Sequence, residues 1–140
     1  MPLRVLGIDP RLTRCGVGIV DVDERRRGRL VHVAVLRTPP DLAIERRLLT
    51  IGEGIAALLD DLRASFSVVD PLSAHVPLYG SQWLMAIASD TLDAAALFAH
   101  DIEARLADRG IEGLRYYDAR LHPALFALPR ALRDTLGARR

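Results

Sequence analysis

The sequence predicts an α/β domain built on a five-stranded sheet. Three observations predict it. Residues 3–37 hold three apolar, partly β-branched runs joined by turn-rich segments. Residues 42–64 repeat apolar side chains at helical spacing. Two further strand-like runs, 66–70 and 112–117, are separated by helix-like sequence.

Each element follows from local pattern. Residues 3–9 are an apolar run ending in one carboxylate, Asp9, at a tight turn. Residues 15–22 form the partner strand, and 20–28 the next hairpin loop, rich in Asp, Glu and Arg. Residues 29–37 alternate Leu30, His32 and Ala34 against Val31, Val33 and Val35. Thr38-Pro39-Pro40-Asp41 stops that strand and places Asp41 as a helix N-cap. The helix over 42–64 carries Leu42, Ile44, Leu48, Leu49, Ile51, Ile55, Leu58, Leu59 and Leu62 on its apolar side. Phe66-Ser-Val-Val-Asp70 reads as a fourth strand, 71–80 as loop and 82–109 as helix, broken near Ser89-Asp90. Residues 112–117 read as a fifth strand ending at Asp118. The remainder, interrupted by Pro123 and Pro129, reads as one or two short helices.

Composition bounds the function classes. A chain of 140 residues fits one domain, 1–140, with room for a real core. Half its residues are hydrophobic, yet no apolar run approaches the ~18 residues of a membrane helix. Met1-Pro2-Leu3-Arg4 runs into a strand without a leader pattern. The single cysteine, Cys15, excludes an internal disulfide and a thiolate metal cluster. It reads as a small core residue. A reducing, cytoplasmic setting without membrane attachment is the expectation. The net charge is +1, and all 19 basic residues are arginine. A GC-rich genome explains that simply; a need for guanidinium forks on phosphate oxygens explains it functionally.

The opening carries the most information. Arg4-Val-Leu-Gly-Ile-Asp9-Pro, then Leu12-Thr-Arg-Cys-Gly16-Val-Gly, Val35-Leu-Arg-Thr-Pro-Pro40 and the helix with Glu45-Arg46-Arg47-Leu48-Leu49 resemble the RuvC family of Holliday-junction endonucleases over residues 3–63. The resemblance implies a ribonuclease-H-like fold: a mixed sheet with helices on both faces and the fourth strand beside the first. Asp9 and Asp70 would then be neighbours. Two close carboxylates repel unless a cation compensates, and hard oxygen ligands suit Mg²⁺, with Mn²⁺ as an alternative. The implied activity is resolution of four-way junctions in recombination and repair, with Asp9 and Asp70 catalytic and metal-binding. Asp118, Asp134 and His122 are candidates to complete the metal set, and each also reads simply as a solvated surface group. A homodimer, formed through the helix at 82–109, and a branch-migration helicase partner are implied likewise.

The chain departs from the family at named positions. Arg11 stands where the family usually has Gly, Asp70 where it has Glu, and Pro71 where it has a basic residue. Residues 102–121 are similar to the YqgF group of the same fold, but Ala119 stands where that group has an acidic ligand. Arg11 and Arg14 near Asp9, Arg25, Arg26 and Arg27 on the hairpin beside Arg29, and Tyr79 near Trp83 are the candidate nucleic-acid contacts. The hairpin arginines also read simply as a solvated turn, Tyr79 and Trp83 as partly buried aromatics, and His75 as an exposed loop histidine. Three functions stay open: a junction endonuclease, a binding protein of the same fold without cleavage, and a phosphate-binding domain of the actin-like ATPase type.

Overall fold

A computed structural model describes residues 3–9 and 11–137. Strand β1 (Leu3–Asp9) pairs antiparallel with β2 (Arg14–Val22), Asp9 lying opposite Gly16. Strand β2 pairs antiparallel with β3 (Gly28–Arg37). Asp23 closes their loop: its carbonyl accepts the Arg26 N–H at 2.9 Å and its carboxylate the Arg27 N–H at 2.8 Å. Arg26 sits at φ 61°, a left-handed geometry that strains a residue with a Cβ. The hairpin register shifts by one residue between Ile19 and Val20.

Helix α1 (Ile44–Ser65) begins later than the predicted Asp41 cap, with Ala43 as its N-cap. Its buried stripe is Ile51, Ile55, Leu59 and Leu62, packed on Leu6, Ile8, Cys15 and Val17. Gly54 lets the helix approach β3, since a Cβ there would meet a Leu36 methyl at 2.9 Å. The first turns project beyond this contact. Ile44, Leu48 and Leu49, predicted on the apolar side, are more than half exposed at 57%, 55% and 53%.

The second region differs from its prediction. Strand β4 (Val68–Val76) continues through Asp70 instead of ending there. A 3₁₀ turn over Pro77–Tyr79 and left-handed Gly80 lead into β5 (Ser81–Ser89). The helix predicted over 82–109 is therefore a strand, a bent segment and a short helix, α2 (Ala99–Asp108). That removes the long helix on which dimerisation was expected to rest. The apolar run Trp83–Ala88 satisfies both periods, and tertiary pairing decides for the strand. Pro71 is tolerated because β4 is an edge strand. Residues 112–117, predicted as a fifth strand, lie outside regular structure and precede α3 (His122–Phe126) and α4 (Arg130–Leu136).

The sheet order is β3-β2-β1-β5-β4, and every pairing is antiparallel. The α/β class, the ribonuclease-H-like character and the five strands stand as predicted; the mixed pairing does not. Strand β5 occupies the place beside β1 that β4 was expected to take. Helices lie on both faces. Leu128 and Leu136, flanking and ending α4, join α1 on the core face. Residues 90–126 cover the opposite face above β4, where Leu72, Ala74, Ala94 and Ala119 are buried.

Candidate nucleic-acid interface

Strand alternation decides where Asp9 points. Ile8 is buried in the core, so Asp9 faces the opposite side, with Gly16 opposite it on β2. Its carboxylate stands 3.5 Å from the Arg11 guanidinium, and both side chains are substantially exposed. A guanidinium thus sits where a cation would be drawn.

Asp70 shares that face but not that place. It is opposite Ile87 on β5, and Ile87 is opposite Val5 on β1. Asp9 is four residues further along, so the two acids stand about 16 Å apart at ordinary strand rise and spacing. The expected neighbours are separated because β5 intervenes. Asp70 is buried, and its carboxylate accepts the Ala95 N–H at 3.4 Å.

The other predicted ligands have local roles. Asp118 accepts the Leu121 N–H at 2.7 Å and so closes the turn entering α3. Asp134 pairs with Arg130 at 3.8 Å on exposed α4, which packs on α1 over the face opposite to Asp9. His122 is buried between the Tyr117 hydroxyl and the Ala94 carbonyl, each at 2.7 Å. That carbonyl can only accept, so Nε2 donates and Nδ1 accepts from the tyrosine. Burial, then the Asp118 charge, push the Tyr117 hydroxyl up. Among the described residues no group of three His, Cys, Asp or Glu is placed to hold a metal ion. Divalent Mg²⁺ or Mn²⁺ wants several oxygens, and this arrangement does not supply them.

What the fold does gather at Asp9 is basic and aromatic. Arg14 begins β2 one turn away, and Arg37 ends β3 directly opposite it. Leu84 is opposite Ile8, which brings the start of β5, with Trp83, to the same end of the sheet. Tyr79 stacks on Trp83, ring centroids 4.9 Å apart and planes at 24°. Tyr79 is half-exposed, while Trp83 Nε1 is buried without a hydrogen-bond partner among the described residues. Sequence reasoning found Arg11, Arg14 and Tyr79 but missed Arg37. A strand-terminal arginine at each end of the second hairpin was the available signal.

The hairpin arginines lie elsewhere. Val22 is opposite Leu3, so the 23–27 loop is at the other end of the sheet from Asp9. Arg27 pairs with Asp23 at 3.0 Å and Arg29 with Asp21 at 3.3 Å, lining a shallow cleft of about 430 Å³. Asp21 also takes a bidentate fork from Arg4 at 2.7 and 3.0 Å. The Arg4 hydrogen bonds hold the Asp21 carboxyl below the usual carboxylate range, outweighing the effect of burial. Arg25 and Arg26 remain exposed at the loop tip. His75 is exposed on β4 opposite Gln82. Cys15 is fully buried, and burial pushes its thiol up.

The profile of the family "Crossover junction endodeoxyribonuclease RuvC" matches residues 5–73. Residues 5–73 are thus RuvC-like in sequence. A RuvC of Leifsonia xyli is 65% identical over 60 residues, 43% of this chain and 29% of that protein. A RuvC of Clavibacter sepedonicus is 51% identical over 73 residues, 52% of this chain and 36% of that protein. The chain thus spans about a third of the length of these curated relatives. RuvC proteins are, by that name, endonucleases. A polyamine aminopropyltransferase of Nitrosomonas europaea is 47% identical over 75 residues, 54% of this chain and 23% of that protein. A match of 75 residues does not fit within positions 1–73, so it takes in sequence beyond the RuvC match. No helix of the described residues is long and apolar enough to cross a membrane.

Proposed function

We propose that this chain engages four-way DNA junctions, the substrate of recombination and repair, as a RuvC-type protein acting in the cytoplasm. The observation that carries the reading is the company Asp9 keeps. Exposed Arg14 and Arg37 and the stacked Tyr79–Trp83 pair share its end of the sheet. Phosphates are gripped by guanidinium forks, and unpaired bases at a branch stack on aromatic rings. The family match over 5–73 supports branched DNA as the substrate class. The residues act by binding and orientation: Arg14 holds backbone phosphate, Tyr79 offers a ring face, and Arg11 offsets the Asp9 charge that would repel the strand.

Cleavage is the second reading, favoured by the relatives' activity and by Asp9 at the end of β1. Metal-dependent hydrolysis needs a further acid beside Asp9, and Asp70, Asp118 and Asp134 are engaged elsewhere. A homodimer and a branch-migration helicase partner belong to this second reading. The 140 residues are further proposed to fold as one unit, supported by the β1–β5 pairing across the two regions.

The test is binding of a labelled synthetic four-way junction against a duplex of equal length. Tighter binding to the junction, weakened in Tyr79→Ala, is expected. Equal, salt-sensitive binding to both would reduce the reading to non-specific attraction.

A further inference from the structure

The register shift at Ile19/Val20 sets Arg37, rather than Leu36, opposite Arg14. Both are exposed, and both project from the face that carries Asp9 and Gly16. Directly opposed side chains on paired strands are close enough that like charges repel. Neither guanidinium has a hydrogen bond or ion pair to a described residue. The repulsion is not relieved by fraying, because the flanking backbone is locked. Thr38 donates its N–H to the Thr13 carbonyl at 3.3 Å and its hydroxyl to the Leu12 carbonyl. Arg47 reaches from α1 to both hydroxyls, Thr13 at 2.8 Å and Thr38 at 3.2 Å. Beside the pair, Gly16 and Gly18 leave an open floor: a Cβ would meet only Asp9 Cβ at 3.7 Å above Gly16 and nothing within 4 Å above Gly18.

Two exposed guanidiniums on locked strand ends, with no ion pair to a described residue and two glycines beside them, form a seat for an anion that both can fork. We propose that Arg14 and Arg37 close on a single phosphodiester of the bound nucleic-acid backbone, with Arg47 as a positioning residue that holds the two strand ends in register. The proposal rests on the DNA-binding reading above and adds Arg37, Arg47 and the shared phosphate to it. The neighbouring Tyr79–Trp83 stack favours a nucleic acid over free phosphate as the occupant.

The experiment is fluorescence anisotropy of the full chain on a labelled four-way junction across a salt series. It compares wild type, Arg14→Gln, Arg37→Gln, the double variant and the double lysine variant. Each single glutamine change is expected to weaken binding about tenfold, and the double change little more than either. The double variant should lower the slope of log affinity against log salt by about one, the loss of one phosphate contact. The lysine variant should keep the slope and lose affinity, because charge survives and the fork does not. The glutamine variants should melt at or above the wild-type temperature, since a repulsion is removed. Single variants within twofold of wild type, or losses that multiply with a slope change of about two, would overturn the shared phosphate. Displacement of no DNA by inorganic phosphate that itself binds the arginines would overturn the nucleic-acid occupant. A folded wild type without DNA affinity would instead sink the function reading, and the clamp with it.

Discussion

The region through α1 and the region from β4 onward are built on different principles. In the first, neighbours in sequence are neighbours in space: two hairpins and one amphipathic helix. In the second, β5 keeps its hairpin partner β4 on one edge and pairs on the other with β1, the first strand of the chain. The first region matches RuvC, while a 75-residue likeness to a polyamine aminopropyltransferase reaches past that match. The lesson is local: resemblance over one region carries its own geometry, and the pairing it implied for the other region did not follow.

If the regions form one folding unit, a core change in one must destabilise both. Leu59→Ala empties a site that is 1% exposed on α1 and should cost about 3 kcal/mol. Urea unfolding should shift as one transition, with β4–β5 amides losing exchange protection alongside β1–β3. Two separate transitions would break the comparison into independent domains.

Asp21→Asn removes the double anchor of the first region and should cost about 2 kcal/mol. The sign follows from the lowered folded value of Asp21. Its contribution is full above the unfolded carboxylate value, about 3.9, and is lost as pH falls through the lower folded one. Acid titration of stability should therefore be flatter below about pH 4 in the variant than in wild type.

Tyr79→Ala, in the second region, should lower junction affinity about tenfold at unchanged melting temperature, the usual scale for one stacked base. Arg25→Ala with Arg26→Ala, at the far end of the sheet, should change junction affinity less than about twofold. A large loss there would move the interface to the hairpin tip.

Much of the first region was legible. Alternation in 29–37 and helical spacing in 51–62 led to β3 and the buried stripe of α1, and the apolar run ending at Asp9 led to β1. What stayed hidden was relational. The bulge at Ile19/Val20 leaves no composition signal, yet it decides which arginine opposes Arg14. The exposed Ile44, Leu48 and Leu49 have the right spacing for a core face but lie beyond what the sheet covers. In the second region, Trp83–Ala88 is apolar at every position, so period alone does not separate strand from helix, and Asp70 was misplaced with it. The polar roles of Asp118 and His122 depend on Leu121 and Ala94, contacts that spacing does not announce.

The most direct measurement is a single reaction with a synthetic four-way junction and Mg²⁺, scored for binding and for nicks in wild type and Asp9→Asn. Binding without nicks, retained or tightened when the Asp9 charge is removed, is the predicted result. Symmetric nicks that vanish in Asp9→Asn would contradict it, and would require an acid beside Asp9 that the β5 insertion keeps away.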